Sequence, residues 1–376
     1  MARALARGSS HRSPVSTTSP AISVVVPLYN KERYILRCLE SIRRQTFSDY
    51  EVIVVDDGSS DGGGGLAAAF PDPRFRVVRQ KNGGASAARN RGISESRGTL
   101  IAFLDGDDEW EPGFLEAVAG LSRQFPQAGI LATGLRRVDG EAYDLETTFK
   151  AGGNGHTSLI KKYFHYAKQG NFVSSSSVAI PRSVFEDVGM FLEGEPIGED
   201  RDMWVRIAVH YPIAYDCRVL AIYHTDAAGR SFSHWSSDPP YPPAVRTLRR
   251  LLDTGVLPPA KRRDAVFLLN WLLLRHAYWL LDLGDRDTLM RHLKEESFSL
   301  WTYRWRALLL RSATAVIPVR LLSAVKCRAV LLGTRIRRTL GALFSAGKYE
   351  WWFGRRVVSR QVPAHSHVRT VAAQSL

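Results

Sequence analysis

The chain has 376 residues, 45% of them apolar and 23% charged, which is ample for a packed core and argues against a disordered or fibrous protein. Its net charge of +14 sits at one end: Pro243 to Leu376 carries 24 Lys and Arg against 8 Asp and Glu, and the rest 27 against 29. Three widely spaced cysteines, Cys38, Cys217 and Cys327, form neither an even framework nor a C-x-x-C pair, which argues against a disulfide scaffold or structural zinc and suits a reducing compartment.

Residues 1–20, rich in Ser, Arg, Pro and Thr, read as a disordered leader without the apolar stretch of a signal peptide. Ile22 to Leu28 is a β-branched run stopping near Pro27, hence a buried strand. Asn30 is placed as an N-cap for a helix on which Ile35, Leu36, Leu39 and Ile42 fall at helical spacing. Glu51 to Val55 is a second strand, the glycine run Gly62 to Gly65 reads as flexible, and Leu66 to Phe70 as a weak helix at best. A strand at Phe75 to Val78, a helix at Ala85 to Ser96, a strand at Thr99 to Leu104, a helix at Pro112 to Phe125 and a strand at Gly129 to Thr133 continue the alternation. Such alternation predicts an α/β fold of right-handed βαβ units on a mainly parallel sheet. Beyond it come an apolar segment after the serines Ser174 to Ser177, helices at Ser183 to Val188 and Met203 to Val209, a strand at Leu220 to Tyr223, and a polar loop from His224 to Ser233.

In sheets of this kind ligands sit past the carboxyl ends of the strands. Tyr29, Asp57, and the pair Asp105 and Asp107 all fall there, on three different strands. Asp105, Asp107 and Asp108 crowd into four residues, where carboxylates repel unless a cation intervenes; if the chain stays near-extended, Asp105 and Asp107 face one way and offer hard oxygen ligands to Mg²⁺ or Mn²⁺. The bland alternative is an acidic turn capping the next helix. Tyr29 is either a core aromatic or a platform for a flat base. Asp57 is either a turn aspartate or the acceptor for a pyrimidine N–H. Arg89 follows a glycine-rich helix entry that could face phosphate, and a structural salt bridge fits it equally. Glu199 and Asp200 are helix-start acids or, for one of them, a general base that deprotonates a hydroxyl. His224 is a third metal ligand or a structural histidine.

Five stretches in order, VVVPLYN (Val24 to Asn30), VVDDGSSD (Val54 to Asp61), NGGASAARNRG (Asn82 to Gly92), FLDGDDEW (Phe103 to Trp110) and GEDRDMWVRI (Gly198 to Ile207), resemble the inverting glycosyltransferases of family two, which have the GT-A fold. The resemblance covers roughly residues 21–235. It implies that Pro27, Tyr29 and Asp57 hold the nucleobase of a nucleoside-diphosphate sugar, most often uridine, that Asp105 faces the ribose or the metal, that Asp107 binds the divalent ion, and that Asp200 is the base. The sequence around His224 departs from the family's commoner Tyr-Arg-x-His arrangement, and the four-glycine run departs as well.

The expected organisation is a leader, a GT-A domain over 21–240 and a helical basic region over 241–376. In the last, Phe267 to Leu281 is strongly apolar, and Trp301 to Phe344 interleaves Leu, Val and Ala with eight arginines. Basic amphipathic helices of that kind lie in bilayer interfaces; the alternative is an ordinary helical subdomain with a solvated arginine face. The first reading suggests a cytoplasmic enzyme docked on the inner face of the plasma membrane and acting on a glycan or lipid-linked acceptor. No run of about 18 apolar residues predicts a spanning helix, and no nucleic-acid module accompanies the charge. A nucleotidyltransferase of similar fold and a non-catalytic sugar-nucleotide-binding protein are the alternatives.

Overall fold

The computed structural model describes residues 19–139, 142–147, 156–167, 172–225, 241–295 and 311. Most of the expected leader, most of the polar loop after His224 and nearly all of Trp301 to Phe344 lie outside them.

The chain runs β1 (Ile22–Leu28), α1 (Glu32–Arg43), β2 (Tyr50–Asp56), α2 (Gly63–Ala68), β3 (Phe75–Arg79), α3 (Gly84–Glu95), β4 (Leu100–Phe103), β5 (Glu109–Trp110), α4 (Phe114–Gln124), β6 (Ile130–Asp139), β7 (Ala142–Thr147), β8 (Thr157–Ile160), α5 (Tyr163–Tyr166), β9 (Val178–Pro181), α6 (Arg182–Val188), α7 (Glu199–His210), β10 (Ile213–His224), α8 (Pro243–Asp253), α9 (Pro259–Leu283) and α10 (Arg286–Glu295). The strands form one sheet in the order β3-β2-β1-β4-β9-β6-β10-β5, with β7 added on β6 and β8 on β10. From β3 to β4 it is parallel, β9 runs against both β4 and β6, and β6 and β10 are parallel again. This mixed, mostly parallel sheet flanked by helices is the GT-A architecture.

Side-chain alternation explains the two helical layers. Val24, Val26 and Leu28 of β1 point to one face with α1, α2 and α4, while Val25 points to the other with α3 and α5 through α10. The second layer is continuous, so that Phe103 of β4, Trp204 of α7 and Leu268, Leu272 and Ala277 of α9 belong to one buried cluster. A glycine lets α3 lie this close to the sheet: a Cβ on Gly92 would stand 2.2 Å from Val25 Cγ1. Among the described residues no helix is long and apolar enough to cross a membrane.

Several local expectations change. Asn30 is not a cap: it takes a left-handed φ of 52°, Lys31 is the residue preceding α1, and Asp61 supplies an oxygen to the Glu32 N–H at 2.9 Å. Leu36, placed by spacing on the apolar face, is 46% exposed, and Cys38 is buried instead. Gly63 to Gly65 of the glycine run are helical, at the start of α2, and a Cβ on Gly64 would meet Asp56 Oδ2 at 2.3 Å. The strands predicted at Gly129 to Thr133 and Leu220 to Tyr223 fall in the longer β6 and β10, whose remaining parts carry polar residues, Arg136 and Arg137 in β6 and Asp216 and Arg218 in β10, that hide the strand signal.

Candidate active site

The loops after β1 and β2 are stitched together. The Asn30 N–H donates to Ser59 Oγ at 3.1 Å, Asn30 Oδ1 accepts the Ser60 N–H at 2.8 Å, and Glu32 Oε2 accepts the Gly62 N–H at 3.0 Å. Tyr29 stands at this edge, 47% exposed and open to a planar ligand. Pro27 lies within β1, opposite Val55 of β2, and β1 stops pairing with β4 at Val25, so the missing N–H of Pro27 costs that ladder nothing. Asp57 is buried and accepts three hydrogen bonds, from Gln80 Nε2 at 2.7 Å, the Gly83 N–H at 2.9 Å and the Gly84 N–H at 2.8 Å. It thereby fixes the glycine turn that opens α3, where Gly84 has a φ of +87°. A carboxylate offers about four acceptor sites, so one remains.

The acidic stretch does not stay extended. The Asp108 N–H donates to the Asp105 carbonyl at 2.9 Å, closing a turn. Each acid then has its own partner. Asp105 Oδ1 pairs with Arg89 at 2.8 Å and Asp107 Oδ2 with Lys31 Nζ at 2.8 Å. Asp108, fully buried, accepts Ser176 Oγ–H at 2.5 Å and the His224 N–H at 3.0 Å. Burial first, then the charges of Asp107 and Asp105, push its pKa well above the usual carboxylate range. Asp108 is therefore a strut between β4, the serine turn and β10.

Ser176 is a residue that the sequence reading passed over. Besides binding Asp108 it accepts the Asp105 N–H at 3.2 Å, and its carbonyl accepts Trp110 Nε1–H at 2.6 Å. Lys31 and Glu199 were missed as partners too. The sequence signal for Ser176 is weak but present: four consecutive serines on entry to a buried strand are costly unless hydrogen-bonded. His224 lies beside the acids, but its Nε2 is 2.8 Å from Glu109 Oε1, whose pKa this hydrogen bond lowers.

Arg89 joins the two halves. Its side chain is 4% exposed and spans Asp105 at 2.8 Å and Glu199 Oε1 at 2.8 Å. Burial works against its charge, yet the two carboxylates outweigh that and its pKa rises. Glu199 opens α7 after Gly198, which adopts a left-handed φ of 80°, and Asp200 follows. Burial, and then the Glu199 carboxylate, push the Asp200 pKa up to about 6, against Arg201 and Arg89. A carboxyl group held there is a usable proton acceptor near neutral pH.

Of the expected residues, Asp105, Asp200 and Arg89 are thus linked directly or through Glu199, Asp107 sits on the same turn as Asp105, and Pro27, Tyr29 and Asp57 line the adjoining strand ends. No group of three or more His, Cys, Asp and Glu side chains suited to a metal occurs among the described residues. The donor chemistry nevertheless fits a divalent cation shared with a ligand: Asp105 and Asp107 each spend one carboxylate oxygen on a side-chain cation and keep the other, and Mg²⁺ sites commonly use one or two carboxylates completed by phosphate and water.

Glycosyl transferase family 2 matches residues 23–189. EpsJ of Bacillus subtilis, an uncharacterized glycosyltransferase, is 50% identical over 91 residues, covering 24% of this chain and 26% of that protein. The glycosyltransferase GlyG of Streptococcus pneumoniae is 45% identical over 103 residues, covering 27% and 34%. The glycosyltransferase AglE of Haloferax volcanii is 34% identical over 188 residues, covering 47% and 58%. The chain therefore matches less than two thirds of the length of each of these three relatives. Among solved structures, S. aureus TarS 1-349 in complex with UDP-GlcNAc superposes with a TM-score of 0.60 at 17% identity, over 82% of this chain and 92% of that one. The same fragment with UDP gives 0.54; both are likenesses of fold.

Proposed function

Residues 23–189 are a glycosyl transferase family 2 domain, and from that premise we propose that the chain moves a sugar from a nucleoside-diphosphate sugar to a hydroxyl of a glycan or lipid-linked acceptor, with inversion at the anomeric carbon. The observation that carries the reading is the Asp105–Arg89–Glu199 link, which ties the strand-end acids to the helix start bearing Asp200. The UDP-GlcNAc and UDP complexes of TarS support a uridine nucleotide as donor, with Tyr29 stacking on the base, Pro27 shaping the strand end and the remaining acceptor site of Asp57 taking the ring N–H.

Asp200 takes the proton of the acceptor hydroxyl as that oxygen bonds to the anomeric carbon. The bond from that carbon to the diphosphate breaks on the opposite face, and the nucleoside diphosphate leaves with the bonding pair. A general base of this kind contributes about 10²- to 10⁴-fold. Asp105 and Asp107 would hold Mg²⁺ or Mn²⁺, which when bound neutralises charge on the departing diphosphate. Lys31 and Arg89 hold these carboxylates in place.

A thermal-shift screen of sugar nucleotides with Mg²⁺ or Mn²⁺ identifies the donor; a ligand at 100 times its Kd stabilises by about 2.7 kcal/mol. Asp107→Ala is expected to weaken metal-dependent UDP binding by about tenfold or more, the effect of losing one to two kcal/mol, and equal binding would remove Asp107 from the site. Product analysis separates the reaction from nucleotidyl transfer, which releases pyrophosphate instead of a nucleoside diphosphate.

The basic excess after Pro243 supports an acceptor presented at an anionic membrane surface. The full chain is expected to sediment with anionic liposomes at low salt and to leave them at high salt. A chain that stays in the supernatant at low salt has no such surface.

A further inference from the structure

Phe191 is an inward-facing ring in the loop that joins α6 to α7. Its neighbours Met190 and Leu192 are 40% and 37% exposed, whereas Phe191 is 3% exposed. Side chains from two helices hold the loop this way round. Asn90 of α3, itself buried, grips both backbone groups of residue 191: its Nδ2 donates to the Phe191 carbonyl at 2.9 Å and its Oδ1 accepts the Phe191 N–H at 3.0 Å. Asn90 Nδ2 also donates to Glu193 Oε1 at 2.8 Å. From α7, Arg206 donates to the carbonyls of Val188 at 2.6 Å and Met190 at 2.8 Å while paired with Asp202. Gly189, between those two carbonyls, takes a left-handed φ of 78° that a side chain would strain.

So placed, the ring meets the cation at the centre of the site. The Arg89 guanidinium carbon lies over it, 5.6 Å from its centre, and the ring makes T-shaped contacts with Phe103 of β4 at 5.4 Å and Trp204 of α7 at 6.3 Å. Arg89 and Asn90 are consecutive on α3, so one stretch of helix supplies both the cation that spans Asp105 and Glu199 and the amide that holds the ring against that cation. Arg89 spends Nη1 and Nη2 on the two acids, and its buried Nε has no hydrogen-bond partner among the described residues. Hydrogen bonds therefore fix only the tip of the guanidinium, and packing fixes the rest. An aromatic face attracts a guanidinium and, by keeping water off it, strengthens the pairs that it makes.

We propose that Asn90 and Phe191 are positioning residues for glycosyl transfer: Asn90 fixes the backbone of residue 191 so that its ring walls Arg89 from water and keeps the start of α7, with Asp200, in register with Asp105. The catalytic part of this inference rests on the reading of Asp200 as the base. Neither residue touches a substrate; both act through Arg89. Glu199, the residue before Asp200, is the point at which that cation grips α7, so a guanidinium free to shift carries the first turn of the helix with it.

The test follows amide exchange in the full chain by mass spectrometry, comparing α7 with β1 and β2. Phe191→Leu and Asn90→Ala should each speed exchange in the first two turns of α7 by about tenfold, with β1 and β2 unchanged within about twofold. The two variants reach the ring from different elements, so the second serves if the first misfolds. A ring that only fills the core against Trp204 would add its full effect to that of Arg89→Ala, whereas one that acts through Arg89 should add less than about twofold in the paired variant. Arg89→Lys, which cannot span both acids, takes its place in that cycle if Arg89→Ala does not fold. With the donor identified by thermal shift, kcat should fall by about tenfold or more in Phe191→Leu while donor KM stays within about twofold, as for a base held off its position. Unchanged exchange in α7, a rise shared equally by β1 and β2, or additive effects in the paired variant overturns the assignment. An Asp200→Asn chain that keeps its turnover, with the exchange results as expected, overturns the base and leaves the wall around Arg89 standing.

Discussion

Asp200→Asn is expected to abolish transfer while making the protein harder to melt. Loss of the base should lower kcat by about 10²- to 10⁴-fold, and UDP affinity should stay within about twofold because the role proposed for Asp200 is toward the acceptor hydroxyl and not the nucleotide. The stability effect follows from linkage. The folded-state pKa of about 6 lies above the unfolded value of about 3.9, so the folded protein binds more protons than the unfolded chain between those values. Stability therefore falls as pH rises through that window, and the full penalty is present above it. Asparagine removes the penalty, so the variant should gain on the order of 1 kcal/mol at pH 7.5 and nothing at pH 3.5. In the unsubstituted enzyme, kcat/KM should fall about tenfold per pH unit below about 6 and level off above it. A variant that keeps most of its turnover removes Asp200 from the role of base.

Arg89→Ala should have the largest effect on stability. It strips the shared cation from Asp105 and Glu199, whose side chains are 28% and 13% exposed. Breaking a buried pair costs about 3 to 5 kcal/mol, and the partial exposure of Asp105 points to about 3. Urea denaturation reads this as a lowered midpoint at unchanged slope. Arg89→Lys should fall between, since one ammonium cannot span two carboxylates as a guanidinium does. Activity should drop with stability, because a base displaced by about 1 Å can cost about 10²-fold. If Arg89→Ala unfolds within 0.5 kcal/mol of the parent, the link is a surface pair that positions nothing.

The parallel half of the sheet was legible because each strand is a short, β-branched run ended by turn residues, and because strand ends are where acids collect. The second half was harder. In β6, Leu131 and Ala132 read as strand, but Arg136 and Arg137 do not; both are only partly buried, and Arg136 pairs with Glu111 at 2.9 Å. Leu36 shows the limit of periodicity: a leucine at helical spacing is not buried when the fold presents nothing to cover it. The acids themselves were visible, whereas their partners were not. Lys31 and Ser176 lie 76 and 68 positions from the acids they serve, Asp107 and Asp108, and Glu199 lies 110 positions from its partner Arg89, and nothing local to those residues marks the pairing. Asp57 shows the reverse, a residue singled out for ligand contact that also builds the turn beside it. A substitution there will disturb α3 as well as any nucleotide.

The unbroken buried layer from β4 through α7 to α9 bears on where the polypeptide can be shortened. Removing everything after residue 240 would take away Ala244, Val245, Leu248, Leu268 and Leu272 from the buried layer they share with Trp204 and Val205. Such a fragment would associate with itself before its chemistry could be measured, so the long hydrophobic helix is as much a part of the core beneath the sheet as an appendage to it.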